Sequence, residues 1–261
     1  MAPVTILPDA EALAMAAAKR LTALIEEEAR FRTPVFVGVT GGRTPQRLYE
    51  LLADTRKPFR SRIPWSELCV IWSDERHVPP DDATSNFRMV DQALLQHVPI
   101  PPAHIYRMPG EIADAQAAAR AYEMTLKKAF AAAGRRDTAC DLLLLGIGED
   151  AHIASIFPGS MMLDGDEDSV PGEPDPNVTA VWAQHLRAAR ITLTPAAILN
   201  ARTIVVLASG PAKAAAVEAA LEKPLNVHRW PAQILREAGT RVTWMVDEDA
   251  AALLSRGGPP A

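Results

Sequence analysis

The sequence of 261 residues predicts an α/β fold, with a doubly wound, mainly parallel sheet and helices on both faces. Two observations predict this fold. Apolar runs rich in Val, Ile and Leu recur along the chain, and Ala-rich stretches with helical periodicity lie between many of them. Strands that are apolar almost throughout are typical of a sheet covered on both faces. We therefore expect one α/β domain over residues 1–261.

The predicted strands are short apolar runs bounded by turn residues or helical stretches. They cover residues 4–7, 35–40, 68–73, 104–108, 141–148, 178–182, 190–194, 203–209 and 241–246. Too little chain separates the run at 178–182 from the run at 190–194 for a crossover helix. We therefore expect one antiparallel pair, which would make the sheet mixed.

Five stretches have the apolar spacing of helices that pack on a sheet. They cover residues 9–29, 44–53, 85–98, 114–134 and 211–222. Pro45 and Pro211 are each predicted at the first position of a helix, where the missing N–H group is tolerated. In "TSNF", Asn86 is predicted as a helix cap, a structural role rather than a ligand contact.

Composition and charge argue against several classes of protein. The net charge is -5 and 48% of residues are hydrophobic, which is ordinary for a globular enzyme and predicts no nucleic-acid or membrane-surface partner. No apolar stretch is long enough to span a membrane, and the first residues lack the pattern of a signal peptide. We expect a cytoplasmic protein, and nothing in the sequence indicates an obligate protein partner.

The two cysteines, Cys69 and Cys140, each lie at the start of an apolar run. Cysteine is among the most buried residue types, so we interpret both as core residues. A thiol nucleophile is the alternative for either one. Two cysteines do not make a disulfide framework, which suits a reducing cytoplasm.

Residues 163–177, "LDGDEDSVPGEPDPN", are predicted to form an acidic surface loop inserted between elements. The alternation of Asp164, Asp166 and Asp168 resembles a calcium-binding loop. However, Ser169 stands where such a loop needs glycine. We therefore favour a solvated loop over a metal site.

Four polar clusters follow predicted strands, at the positions where open α/β sheets bind ligands. They are "TGGRTP" at 40–45, "SDERHVP" at 73–79, "GIGEDAHIASIFPG" at 146–159 and "ASGPAKAAAV" at 208–217. Each alone has a structural explanation as a turn or a charged surface. Because all four fall at the same kind of location, the sequence predicts that they form one site.

Two of the clusters have features of an anion site. Gly41 and Gly42 would let the backbone approach an anion, and the helix that follows would offer free N–H groups. The alternative is that the turn itself requires glycine. Lys213 lies in the first turn of a predicted helix, where the helix dipole disfavours a cation. An anion bound between Lys213 and the helix end would explain its position.

His152 is the candidate for acid–base chemistry. It lies four residues beyond Gly148, and Asp150 is close enough in sequence to fix its tautomer or tune its pKa. A purely structural histidine is the alternative. His77 also lies among acidic residues, but no second histidine falls at ligand spacing, so we predict no metal. The glycine patterns do not match a dinucleotide-binding or P-loop motif, and no cofactor is predicted.

The ordered segments "GGRTP", "SDERHVPPDDATSN", "GIGEDAHIASIFPG", "RITLTPAAILNA" and "GPAKAAAV" resemble the 6-phosphogluconolactonase family. The related glucosamine-6-phosphate deaminases share the fold and typically read "DEY" and "HIAFNEPG". Here the chain has Arg76 and "HIASIFPG", so the resemblance favours the lactonase. A deaminase-like enzyme and a non-catalytic sugar-phosphate sensor are the alternatives.

This resemblance implies roles in the hydrolysis of a phosphorylated sugar lactone. It implies that Arg76 and Lys213 bind the 6-phosphate and that His152 activates water. The backbone of the glycine turn would help to bind the phosphate, through Gly41, Gly42, Arg43 and Thr44. The loop that carries the histidine begins at Gly148.

Two further assignments have alternatives. Either Asp150 or Asp74 would orient His152, and the sequence does not choose between them. Arg190 is a second phosphate or sugar ligand or, alternatively, part of a structural salt bridge.

The chain departs from the family pattern at two places. Ala151 stands where the family has glycine; if this position needs a positive φ, alanine is strained there, whereas alanine is tolerable if glycine only leaves room. The family also often has "KPP" before "RITLT", where this chain has "LRAA". A lysine contact from that segment is therefore in doubt.

Overall fold

A computed structural model describes residues 2–164, 176–184 and 187–255. The strands are β1 (Val4–Leu7), β2 (Val35–Val39), β3 (Leu68–Trp72), β4 (Asp74–Arg76), β5 (Ile105–Tyr106), β6 (Leu142–Gly146), β7 (Val178–Ala183), β8 (Ala188–Leu193), β9 (Thr203–Ala208) and β10 (Val242–Asp247). The α-helices are α1 (Ala10–Ala29), α2 (Arg43–Ala53), α3 (Phe59–Arg62), α4 (Asn86–Ala93), α5 (Ala115–Ala132), α6 (Pro195–Asn200) and α7 (Ala214–Leu221). The 3₁₀ segments include Pro211–Lys213 and Pro231–Arg241.

Seven strands form a parallel sheet in the order β1-β10-β9-β6-β2-β3-β5. Every residue of β2 and β3 is buried, as is β6 up to its last residue. Burial on both faces is what the continuous apolar runs predict. The predicted α/β fold with a mainly parallel sheet is confirmed.

A second sheet of three antiparallel strands has the order β4-β8-β7. The antiparallel pair predicted from the short connection is therefore confirmed as β7 and β8. The prediction that this pair makes the main sheet mixed is wrong, because the pair leaves that sheet and joins β4. Strand β4 consists of the three residues "DER", which are too few and too charged to show a strand pattern in the sequence.

The order of the parallel strands places the site. From β2 the chain continues to β3 and β5 on one side, whereas β6, β9, β10 and β1 lie on the other side. The reversal of strand order falls between β2 and β6, and ligands of open α/β sheets bind in the crevice at such a point. The segments that follow these two strands are the glycine turn at 40–45 and the loop at 146–159, which we call the histidine loop.

Two predicted helix starts need correction. Helix α2 begins at Arg43, so Pro45 is its third residue rather than its first. The N-cap of α4 is Ser85, whose Oγ accepts from the backbone N of Arg88 at 3.2 Å, and Asn86 is the first helical residue. The prediction of Pro211 at a first helical position is confirmed by the 3₁₀ turn that precedes α7.

Both cysteines belong to the core, as predicted. Cys69 lies in β3 and Cys140 just before β6, and each is almost fully buried. Burial raises the pKa of the Cys69 thiol to about 11 and the pKa of Cys140 further. A thiol nucleophile is therefore not supported at either position. Among the helices that the structure describes, none has a stretch long and apolar enough to cross a membrane.

Candidate active site

The histidine loop folds His152 back onto Asp150. Nδ1 of His152 lies 2.6 Å from Oδ1 of Asp150, and the backbone N of His152 donates to the same oxygen at 3.2 Å. The backbone N of Gly148 donates to the carbonyl of His152 at 2.8 Å. A Cβ atom at position 148 would lie 2.0 Å from Nδ1 of His152. Glycine is therefore required at 148 so that the histidine can reach Asp150.

Ala151 lies between Asp150 and His152 in the chain, has a φ of 63° and is fully buried. This left-handed conformation costs a non-glycine residue about 1–2 kcal/mol. The position therefore has a positive φ, so of the two alternatives for Ala151 the structure supports the one in which alanine is strained. The carbonyl of Ala151 accepts from the backbone N of Ala232 at 2.9 Å. A second alanine of the loop, Ala154, also has a positive φ, 48°.

The charge of Asp150 defines the tautomer of the histidine. Burial acts to raise the pKa of Asp150, but the hydrogen bond and the charge of His152 lower it to about 2. An ionised carboxylate only accepts hydrogen bonds, so Nδ1 of His152 carries a hydrogen. In the neutral ring, Nε2 then has the free lone pair that a general base needs. The ring of Phe157 packs on the imidazole, with ring centroids 4.8 Å apart and planes tilted by 50°.

Asp74 is bonded elsewhere. Its Oδ2 accepts from Oγ of Ser155 at 2.8 Å and its Oδ1 from Oγ of Ser73 at 3.2 Å. The sequence leaves Asp74 and Asp150 open as the partner of His152. In the structure Asp150 makes that contact, while Asp74 is held by serine hydroxyls where β3 ends and β4 begins.

Glu75, which is not among the predicted site residues, fixes β4 to the start of α4. Its Oε1 accepts from the backbone N of Arg76 and of Asn86, each at 2.7 Å. Its Oε2 accepts from the backbone N of Phe87, also at 2.7 Å. Burial raises the pKa of Glu75, and these hydrogen bonds oppose that rise. The carboxylate thus sets the position of Arg76 relative to the helix.

Arg76 and Arg190 are directly opposite each other on β4 and β8. Their guanidinium groups donate to backbone carbonyls, Arg76 to Thr84 and Arg190 to Ala189. Burial, followed by the charge of Arg76, lowers the pKa of Arg190, and the charges of Asp74 and Glu75 oppose this. Like charges opposite each other on paired strands are destabilising. An anion near both arginines would relieve that repulsion.

The salt bridge considered for Arg190 is not found. Within the described part of the chain, no carboxylate lies within 4 Å of a charged nitrogen of Arg76, Arg190 or Lys213, whereas other arginines make such pairs. Cations that lack a protein counter-charge are typical of a site for an anionic ligand.

Two glycines begin the helices that face the site. Gly42 caps α2 with φ of 109°, and Gly210 precedes the 3₁₀ turn before α7 with φ of 91°. Neither cap has a side-chain hydrogen bond, so the first N–H groups of α2 remain for another partner. Asp247 holds the second turn by accepting from the backbone N of Gly210 at 3.0 Å.

Gly41 has a different requirement. A Cβ atom there would lie 1.9 Å from Oδ1 of Asn86. The side chain of Asn86 is buried against this turn and donates from Nδ2 to the carbonyl of Asp74 at 2.9 Å. Glycine at 41 is thus needed for packing against Asn86, in addition to any approach of an anion.

These residues surround a cleft of about 260 Å³, which we call the histidine cleft. Of the predicted site residues, its lining includes Gly41, Gly42, Asp74, Arg76, Gly148, His152 and Lys213. A neighbouring cleft of about 740 Å³ shares Gly41, Gly42 and Lys213 and is lined by Arg43 and Thr44. Asp150 and Arg190 lie outside both linings, beside His152 and Arg76. All four predicted clusters therefore meet in one region.

Several residues that line the histidine cleft were not predicted individually as site residues. Thr40, Asn86, Ile147 and Ala154 also line it. Thr40 and Ile147 directly follow the ends of β2 and β6, so their position beyond a strand end was a usable signal. Asn86 was interpreted as structural because its part in the cleft depends on packing against a turn far away in the sequence.

The two metal possibilities find no support in the described residues. Nε2 of His77 lies 2.6 Å from the carbonyl oxygen of Ile112. The described residues contain no group of three or more His, Cys, Asp or Glu side chains placed to hold a metal ion. For the acidic loop, Asp164 lies 3.4 Å from Nε2 of His228. Asp166 and Asp168 lie outside the described residues.

Comparison with known proteins identifies relatives over nearly the whole chain. A family model for glucosamine-6-phosphate isomerases and 6-phosphogluconolactonase matches residues 8–244. The 6-phosphogluconolactonase of Streptomyces coelicolor is 36% identical over 262 residues, covering 97% of this chain and 95% of that protein. The structure of 6-phosphogluconolactonase from Trypanosoma brucei matches with a TM-score of 0.81 and 27% identity, covering 98% of this chain and 99% of that one.

A monomeric glucosamine-6-phosphate deaminase also matches, with a TM-score of 0.78 over 96% of this chain and 99% of that one. Its sequence is 24% identical, so this match shows a shared fold alone. The residues of the site have to discriminate between the two activities.

Proposed function

Because this chain belongs to the family of glucosamine-6-phosphate isomerases and 6-phosphogluconolactonases, we propose that it hydrolyses 6-phosphoglucono-1,5-lactone to 6-phosphogluconate, a reaction of the oxidative pentose phosphate pathway. The observation that carries the proposal is the pairing of His152 with Asp150 in a cleft lined by Arg76 and Lys213. The pairing supports His152 as the general base, and the two cations beside it have no carboxylate within 4 Å among the described residues. The lactone combines an ester carbonyl with a phosphate, so it has a group for each.

In the proposed reaction, His152 acts first as base and then as acid. Nε2 takes a proton from water while the water oxygen attacks the lactone carbonyl at C1. The tetrahedral intermediate then breaks the bond between C1 and the ring oxygen, and the imidazolium returns its proton to that oxygen. Water thus adds OH to C1 and H to the ring oxygen, and the histidine ends neutral.

We assign binding of the phosphate to Arg76 and Lys213, with Arg190 as a further cation. Charge-assisted hydrogen bonds from arginine to phosphate oxygens are strong and directional. The N–H groups after Gly42 would contribute through Arg43 and Thr44, at the positive end of α2.

We also place the protein in the cytoplasm. Its two thiols, Cys69 and Cys140, are free and buried, which fits a reducing compartment.

The test is hydrolysis of freshly prepared 6-phosphoglucono-1,5-lactone at mildly acidic pH, with ammonia release from glucosamine 6-phosphate followed in parallel. We expect acceleration of lactone opening and no ammonia. Ammonia release would assign the chain to the deaminases of the same fold. Binding of 6-phosphogluconate without turnover of either substrate would indicate a sugar-phosphate sensor instead.

A further inference from the structure

The helix that presents Lys213 is capped at its other end by a buried amide side chain. Lys213 directly precedes α7. At the C-terminal end of α7, the last carbonyl groups have no partner within the helix. Nε2 of Gln233 donates to the carbonyl of Ala219 at 2.7 Å and to that of Pro224 at 3.1 Å. The side chain of Gln233 is 0% exposed.

The same amide also fixes the segment that follows the helix. Oε1 of Gln233 accepts from the backbone N of Asn226 at 2.6 Å. Both ends of the amide are therefore bonded, one to α7 and the other to residues 224–233, a segment that we call the brace. The position of the brace depends on Gln233.

The brace contacts the histidine loop on both sides of His152. The backbone N of Ala232 donates to the carbonyl of Ala151 at 2.9 Å. The backbone N of Gly159 donates to the carbonyl of His228 at 2.7 Å. These two hydrogen bonds hold the loop before and after the catalytic candidate.

The first of these bonds acts on the strained residue. Alanine disfavours the left-handed conformation that Ala151 adopts, and such a conformation persists only where the surrounding structure enforces it. If Ala151 relaxed to a negative φ, the backbone between Asp150 and His152 would turn and their contact of 2.6 Å would be lost. The bond from Ala232 opposes that relaxation.

We propose that Gln233 is a positioning residue for His152. By fixing the brace, it holds Ala151 in the left-handed conformation and so keeps the imidazole against Asp150. This inference rests on the proposed function, because it needs His152 to be the base.

The first test compares Gln233→Met with Arg236→Met. Arg236 also caps the end of α7, through Nε to the carbonyl of Ala220 at 2.7 Å and Nη2 to that of Lys223 at 2.8 Å, outside the brace. We expect Gln233→Met to lower kcat by about 10-fold or more, because a misplaced catalytic group loses rate steeply. The affinity for 6-phosphogluconate, measured by calorimetry, should stay near that of the wild type. Arg236→Met should keep both values near wild type.

The second test is rescue. Glycine adopts the left-handed conformation without the penalty that alanine has. Adding Ala151→Gly to Gln233→Met should therefore return kcat toward that of Ala151→Gly alone. A merely structural role for Gln233 would leave the double variant as slow as Gln233→Met. If Gln233→Met does not fold, Gln233→Asn replaces it, since it keeps an amide that is too short to bond both α7 and Asn226.

Three results would overturn the inference: equal losses of kcat in Gln233→Met and Arg236→Met, a loss of 6-phosphogluconate affinity as large as the loss of kcat, or no rescue. The variant His152→Ala separates this failure from that of the proposed function. If His152→Ala is fully active, the base is misassigned. If His152→Ala is inactive and Gln233→Met is active, only the positioning role fails.

Discussion

At the amino end of β6, Asp141 is fully buried, and its carboxylate lies 2.9 Å from Arg135, 3.5 Å from Arg202 and 3.7 Å from Arg32. At the carboxyl end of the same strand, Arg76 and Lys213 line the histidine cleft and have no carboxylate within 4 Å among the described residues. In the first region the cations have a protein anion as partner. In the second region they have none, and we infer that the substrate supplies it.

This difference separates stability from activity. A buried charge that is paired and hydrogen-bonded contributes to the fold, and removing its partner leaves an uncompensated charge. Unpaired cations destabilise the free protein slightly and gain their partner when an anion binds. Substitutions of the paired charges at the amino end of β6 should therefore lower the free energy of unfolding, and substitutions of the unpaired cations at the carboxyl end should weaken binding of the substrate.

The largest expected effect is that of Asp141→Ala. Loss of this carboxylate removes the carboxylate partner of Arg135 and Arg202, and it removes the acceptor of the backbone N of Phe36, now bonded at 2.9 Å. We expect a loss of about 3–5 kcal/mol in the free energy of unfolding. Urea denaturation measures it, and kcat per folded molecule should stay at the wild-type level. A stable variant with impaired kcat would contradict the separation of the two ends.

His152→Ala is the complementary change at the carboxyl end. We expect kcat to fall on the order of 100-fold or more, because the variant lacks the proposed general base. Affinity for 6-phosphogluconate and the urea midpoint should change little, since the imidazole is partly exposed. Stopped assays of lactone opening, corrected for spontaneous hydrolysis, measure the rate. Near wild-type turnover would remove His152 from the mechanism.

Arg76→Gln and Arg135→Gln form a matched pair across the strand. Arg76→Gln should raise KM for the lactone by roughly 10- to 100-fold, the range of one charge-assisted hydrogen bond. It should not lower the stability of the ligand-free protein, because it removes repulsion with Arg190. Arg135→Gln should lower stability and leave KM unchanged. Initial rates of lactone opening measure KM, and thermal unfolding of the ligand-free proteins measures stability; the reverse pattern would contradict the comparison.

Asp150→Asn tests how the histidine is oriented. We expect kcat to fall by about 10-fold or more. The amide of asparagine can donate as well as accept, so it does not force the hydrogen of the imidazole onto Nδ1 of His152. The lowered pKa of Asp150, about 2, also predicts a pH dependence of stability. A depressed pKa in the folded state means that the contribution of the carboxylate is present above about pH 4 and is lost as pH falls toward 2.

Unfolding of the wild type and of Asp150→Asn between pH 2 and pH 6 measures this dependence. The difference in stability between the two proteins should shrink as the pH falls. A constant difference would mean that the contact with His152 does not lower the pKa of Asp150 in the folded protein.

The regions of the molecule differ in how far the sequence predicts them. The parallel strands follow from local apolar runs, and the four polar clusters follow from their position after those runs. The pairing of β4 with β8 was not predicted. The two strands are distant in sequence, and β4 is a charged run of only three residues. The choice between Asp150 and Asp74 could not be made from the sequence, because the hydroxyl of Ser155 donates to Asp74 only in the folded loop.

At Ala151 the sequence shows alanine where the family has glycine, and the structure shows that this position has a φ of 63°. Ala151→Gly removes the left-handed penalty but adds the conformational entropy of glycine to the unfolded chain. We expect a net gain of about 0.5–1 kcal/mol in the free energy of unfolding, with kcat little changed because the brace already holds the loop. Ala154→Gly, with φ of 48°, is the control at a position without the bond from Ala232. If Ala151→Gly instead lowers the free energy of unfolding, alanine is not strained at this position, and the prediction for Ala151 is wrong.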